Sequence, residues 1–202
     1  MEFDKALALE PDVANGLVIY RECAACHEPD GWRRSSGTGP HIAGQHRNVL
    51  IKQLADFRAG NREAVLMVPY ATVEAIGGTQ AVADVTEYIS TLEMSVDNGK
   101  GPGDNLAMGE RIFNEKCAQC HGVNGEGNND DMVPRIQAQH YKYMLRQFKW
   151  IRSGTRQNAS DDMVAHALAL EQDEIDAVLD YTSRLQPPEE FQAPEGWKNP
   201  DF

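Results

Sequence analysis

What the 202-residue chain lacks narrows its possible roles. No stretch approaches the ~18 consecutive apolar residues of a membrane-spanning helix, so the expectation is a chain that does not span a membrane. Met1 to Glu10 has no basic start followed by an apolar run and so carries no visible export signal. Basic residues are scarce: 19 Lys and Arg stand against 31 Asp and Glu, for a net charge of −12. Both halves share the deficit, with 8 basic against 13 acidic residues in 1–94 and 11 against 18 in 95–202. That balance argues against a nucleic-acid partner. It suits either encounter with a basic docking face, weakened by salt, or plain solubility.

Cysteine is also scarce. There are four, all in two identical patterns, Cys23-Ala-Ala-Cys26-His27 and Cys117-Ala-Gln-Cys120-His121, and none is left over. In C-x-x-C-H the two thiols form thioethers to the vinyl groups of a haem, and the adjacent histidine is placed to ligate the iron. A redox dithiol, a zinc site and a disulfide compete with this reading. The dithiol would need a strand leading into the motif, whereas Leu17 to Glu22 and Arg111 to Lys116 read as helix ends. Two Cys pairs with histidines could make four-coordinate zinc, but zinc explains neither following histidine. Two covalently attached haem c groups are therefore expected, one per motif.

Shifted by 94, the sequence falls into register with itself. Cys23, Cys26, His27 and Gly31 meet Cys117, Cys120, His121 and Gly125. Pro40 meets Pro134, Gln45-His46 meets Gln139-His140, Gln53 meets Gln147, Gly60 meets Gly154, and Arg62 meets Arg156. Further on the register slips to 93, where Val82, Val85, Ile89 and Leu92 align with Ile175, Val178, Thr182 and Leu185. Both sets step as the apolar stripe of a helix does. The fold expected is all-α: two tandem helical domains, each with a helix into the haem motif, a Gly- and Pro-containing loop, a middle helix and a closing helix. Gly60 and Gly154 are placed to end the middle helices. The expected divisions are 1–94, a glycine-rich surface linker at 95–105, a second domain at 106–186 and a tail at 187–202. Each domain is small for an independent core, which an apolar haem would enlarge.

His27 and His121 take one axial face of each iron, and the opposite ligand decides between electron transfer and substrate binding. In the first half Met67 is the only methionine between the haem motif and the closing helix. In the second, Met132, Met144 and Met163 compete. Met144 lies on an apolar helical stripe and reads as core, and Met163 follows Gly154-Thr155-Arg156 much as Met67 follows Gly60-Asn61-Arg62, so Met163 is chosen. His41, His46, His140 and His166 stand as alternatives; a histidine in place of methionine would lower that haem's potential. Pro40 and Pro134 each follow a proximal histidine by thirteen positions, where a backbone carbonyl could accept the imidazole N–H. Arg62 and Arg156 either neutralise haem propionates or are solvated.

These segments resemble the cytochrome c4 family, two-domain c-type cytochromes of bacteria. The likeness runs through Cys23–His27, Gly39-Pro40-His41-Ile42-Ala43-Gly44-Gln45-His46 and Gln53 to Arg62, and again through Cys117–His121, Pro134, Gln139-His140, Gln147-Phe148 and Gly154-Thr155-Arg156. It covers roughly residues 14 to 186. The resemblance implies ligation by His27 with Met67 and by His121 with Met163, and a periplasmic location with a signal peptide already removed. It also implies electron delivery to redox partners such as a terminal oxidase. Glu28-Pro29 departs from the family's usual glycine after the motif, and Pro187 to Phe202 runs past the usual end. The function expected is therefore electron carriage without catalytic residues of the protein's own, the chemistry being the cofactor's. The alternatives are a haem subunit of a larger dehydrogenase or oxidase and a haem enzyme with one open iron site. The sequence specifies no oligomeric state.

Overall fold

The apolar steps of three and four become helices in both halves. The computed structural model describes residues 2–33 and 39–202. The first half holds α1 (Glu2–Ala8), α2 (Val13–His27), α3 (Arg47–Ala59), α4 (Val68–Ala71), α5 (Val73–Ile76) and α6 (Thr79–Ser90). In the second, α7 (Leu106–Ile112) runs through a π-helical turn, Phe113–Cys117, into α8 (Ala118–His121), followed by α9 (Tyr141–Arg152), α10 (Asp161–Ala169) and α11 (Gln172–Thr182). Among the described residues, backbone pairing of the β type is confined to three isolated bridges. The architecture is all-α.

Asp12 starts α2 by accepting the N–H groups of Ala14 and Asn15, satisfying two of the helix's free donors. The helix then crosses α6 at Gly16, where a Cβ would overlap the Asp84 carbonyl. A mid-helix glycine costs about 1 kcal/mol against alanine, and here close approach of two backbones requires it. The second half repeats the device with Gly109 of α7 against the Ala177 carbonyl of α11. Beside these crossings lie two apolar cores. The first gathers Tyr20, Trp32, Leu50, Val85, Tyr88 and Ile89; the second gathers Ile112, Phe113, Met144, Phe148, Ile175 and Val178. Gly60, at φ 76°, ends α3 by donating its N–H to the Asp56 and Phe57 carbonyls, as its position in the sequence predicts.

The sequence alone assigns no structure to the segment that forms α1. Seven residues are too few for a self-sustaining helix. Packing holds it: Ala6 is fully buried with Ile51 and Val82, Arg58 pairs with Glu2, and Arg47 donates to the carbonyls of Ala6 and Leu9. The glycine-rich stretch after Met94 is less free than its composition suggests. Asn98 donates to the carbonyls of Gln139 and Ser183, Gly99 N–H to His140 Nδ1, and Gly103 N–H to Asp180 Oδ2.

The residues after Pro187 return to the first half. Met94 exchanges backbone hydrogen bonds with this segment, its N–H donating to Phe191 O and its carbonyl accepting the Ala193 N–H, both at 2.8 Å. Trp197 stacks on Trp32 with centroids 5.3 Å apart, and Phe202 meets Tyr20 edge-on at 6.0 Å. Asn199 donates to Pro29 O and to the Tyr88 hydroxyl.

Candidate haem centres and the face between them

Each C-x-x-C-H motif closes a helix. Cys23, Cys26 and His27 form the last turn of α2, and Cys120 and His121 that of α8. All four thiols are free; Cys23 and Cys117 are half-buried and Cys26 and Cys120 exposed. Burial pushes the Cys23 and Cys117 thiols up to about 11, the opposite of the lowered value that arms a dithiol for exchange. Among the described residues no three of His, Cys, Asp and Glu converge as zinc ligands would.

Burial holds both motif histidines in the neutral form that binds iron. His27 is lowered to about 4, by burial and then by the Arg33 guanidinium. His121 is lowered by burial, partly opposed by its hydrogen bond to Pro134 O at 3.1 Å. The equivalent contact at Pro40 is not formed, and His27 Nδ1 has no hydrogen-bond partner among the described residues. Gly127 leaves room for the Pro134 carbonyl: its φ is +67°, and a Cβ there would lie 2.7 Å from that oxygen.

Of the methionines, Met67 caps the start of α4, and Met163 sits in the first turn of α10, where its N–H donates to Ser160 Oγ. Met144 is buried in the second core, and Met132 lies in a loop at φ 56°. Three of the alternative histidines each bond a backbone carbonyl of the opposite half through one ring nitrogen. His41 Nδ1 bonds Ala138 O at 3.0 Å, His46 Nε2 bonds Glu126 O at 2.8 Å, and His140 Nε2 bonds Trp32 O at 2.7 Å. His140 Nδ1 accepts the Gly99 N–H, so its proton sits on Nε2. His166 is exposed on α10.

These contacts belong to an interface with two-fold pseudosymmetry. Glu126 and Trp32, the carbonyl acceptors, are repeat equivalents, as are His46 and His140. Gln45 and Gln139 each grip the backbone of the opposite half. The Gln45 amide accepts from Arg135 N and donates to Arg135 O, both at 2.9 Å; Gln139 does the same to His41, at 2.8 and 2.9 Å.

Arg62 and Arg156 meet at the centre, and neither is a free surface cation. Arg62 donates to Gln53, Gln147 and the Tyr143 hydroxyl, and Arg156 to Gln147 and Gln53. Arg146 lies over the Tyr143 ring at 5.4 Å. Burial and the neighbouring Arg62 lower Arg156 to about 10. Among the described residues, Arg62 and Arg146 each keep a buried Nε without a hydrogen-bond partner. Clustered, partly unsatisfied guanidinium groups call for an anion, which the carboxylates of a haem would supply. With two paired thiols and a neutral histidine in each half, the residues fit the group.

Comparison with known proteins agrees with this geometry. The family model for cytochrome c matches residues 106–186. Cytochrome c4 of Azotobacter vinelandii is 30% identical over 188 residues, covering 86% of this chain and 89% of the relative. The thiosulfate dehydrogenase electron acceptor of Stutzerimonas stutzeri is 30% identical over 196 residues, covering 89% and 90%. The crystal structure of reduced recombinant cytochrome c4 from Pseudomonas stutzeri superposes with a TM-score of 0.77 at 28% identity, covering 88% of this chain and all of that one. The doubled haem motif, the two helical domains and these likenesses agree, and the chain belongs to the cytochrome c4 family, c-type cytochromes that carry electrons on covalently bound haem.

Proposed function

We propose that this protein passes electrons between redox proteins of the periplasm, toward a terminal oxidase or reductase, using one haem in 1–94 and one in 106–186. The observation that carries this reading is the pair of C-x-x-C-H motifs, each ending a helix of one pseudosymmetric half. Cys23 with Cys26 and Cys117 with Cys120 bind the two haems; His27 with Met67 and His121 with Met163 ligate the irons. Haem supplies one-electron ferric–ferrous chemistry, and the polypeptide sets its potential through ligand, burial and hydrogen bonding. The Pro134 carbonyl orients His121, whereas Pro40, its repeat equivalent, makes no such contact with His27. Arg62 and Arg156, fixed at the domain interface by hydrogen bonds to Gln53 and Gln147, would neutralise haem propionates. The net charge of −12 favours donors and acceptors with basic docking faces.

A second reading is electron uptake from a dehydrogenase in a lasting complex. It is favoured by the relative named as a thiosulfate dehydrogenase electron acceptor. Native size-exclusion of an extract separates the two, since a free carrier elutes near its own 22.4 kDa and a complex far ahead of it.

The deciding experiment is the absorption spectrum of purified holoprotein, oxidised and reduced, with haem counted per chain. Two haems and a weak band near ~695 nm, lost in part on Met67→Ala and in part on Met163→Ala, are expected. A high-spin haem that takes up cyanide readily would overturn the ligation and move the protein toward enzyme chemistry.

A further inference from the structure

We propose that Gln45, in the first half, is a positioning residue for the iron ligand of the second half, acting through the peptide bond between Pro134 and Arg135. Ligation of the second haem by His121, proposed above, is its premise. The carbonyl of that peptide belongs to Pro134 and accepts from His121 Nδ1 at 3.1 Å. Its N–H belongs to Arg135 and donates to Gln45 Oε1 at 2.9 Å. One conjugated amide thus has both polar ends engaged, the donor end by one domain and the acceptor end by the imidazole of the other.

Hydrogen bonds in series polarise one another. An acceptor at the N–H draws electron density toward the carbonyl oxygen, which then pulls harder on the imidazole proton. The imidazole becomes a stronger base and favours ferric over ferrous iron. Two further hydrogen bonds fix the Gln45 side chain, since its Nε2 donates to Arg135 O at 2.9 Å and its Oε1 also accepts the His46 N–H at 3.0 Å.

The pseudosymmetric counterpart provides a control. Gln139 grips His41 N–H and O with the same two bonds, and its Oε1 accepts the His140 N–H at 3.1 Å. The chain of bonds stops there, because His27 Nδ1 has no partner among the described residues. Gln45 and Gln139 are therefore alike as interface residues and differ in what lies beyond the peptide they hold.

The test is a redox titration of dihaem holoprotein in which the hyperfine-shifted proton resonances of each haem are followed separately, each iron taking one electron from a soluble mediator. Gln45→Leu, Gln45→Glu and Gln139→Leu are compared with the wild type. At a fixed potential, Gln45→Leu raises the ferrous-to-ferric ratio of the second haem about threefold. Gln45→Glu, with a stronger acceptor, lowers it. The first haem moves in neither, and Gln139→Leu leaves the second haem at its wild-type value. An unmoved second haem, an equal shift from Gln139→Leu, or shifts of one sign from both Gln45 variants would overturn the proposal and leave Gln45 a structural residue only. Should Gln45→Leu fail to give holoprotein, Gln45→Met, also neutral and without the amide acceptor, takes its place: a rise in the ratio supports the relay and no change overturns it. With 15N-histidine labelling, a wild-type spectrum without a hyperfine-shifted His121 imidazole signal overturns the ligation itself, which separates that failure from failure of the relay.

Discussion

Arg62 and Arg156 occupy the same place in the two repeats and pair with each other, backbone to backbone, across the domain interface. A residue paired with its own equivalent marks the axis that relates the halves. Around it Gln53 and Gln147 each accept from both guanidinium groups, so each arginine is held by acceptors from both domains.

Gln53 Oε1 also accepts from Asn158 at 3.0 Å. Gln53→Leu should leave three donors without their acceptor and destabilise domain docking by about 2 kcal/mol. Calorimetry of the holoprotein should show one unfolding transition in the wild type and two in the variant. An unchanged thermogram would mean that the arginines find other acceptors.

The two helix crossings tolerate no side chain at the contact. Gly16→Ala and Gly109→Ala should each destabilise their own half by about 2–3 kcal/mol or more, because the obstacle is backbone carbonyl. Gly60→Ala meets no nearby atom and should cost only the strain of its left-handed φ, about 1 kcal/mol. Urea denaturation of the three variants checks the order.

Removal of residues 187–202 strips Trp32 of its stacking partner and Tyr88 of its Asn199 hydrogen bond. The first half should lose about 3 kcal/mol of stability while the second keeps its own. Hydrogen exchange, read amide by amide, would show faster exchange confined to α2 and α6. Uniform acceleration would contradict the assignment.

His41 gives the interface a pH dependence. Burial lowers it to about 4, and it faces His140 with ring centroids 6.4 Å apart. A folded value below the unfolded ~6.5 means its contribution is complete above pH 6.5 and is lost as pH falls toward 4, by at most about 3 kcal/mol. The melting temperature of wild-type holoprotein should fall more steeply over that range than that of His41→Asn.

The helices into the haem motifs, the middle helices and the closing stripes can be read from the sequence because their apolar steps are local. Gly16 and Gly109 escape notice as a pair because they align at a shift of 93, while the motifs align at 94. The π-turn Phe113–Cys117 accounts for the difference. It fits one more residue between Gly109 and Cys117 than lies between Gly16 and Cys23, so both helix crossings and both motifs keep their places. Gln45 and Gln139 stand out as repeat partners, yet their role is not legible in the sequence, since each acts on a backbone group some ninety positions away. The short helix α1 is invisible for the same reason: its stability comes from Ile51 and Val82.

The return of the last residues to the first half sets an order of events. Asn199 reaches Pro29 across 170 positions, so the wall formed by Trp32, Tyr20 and Tyr88 is finished only by residues that lie beyond the whole second half. Contacts of such separation form late, after local helices and after long loops have closed. The first half is thus the last to be sealed. Cys23, on the helix that carries Tyr20, packs against this same wall, so its surroundings are complete only once residues 187–202 have docked.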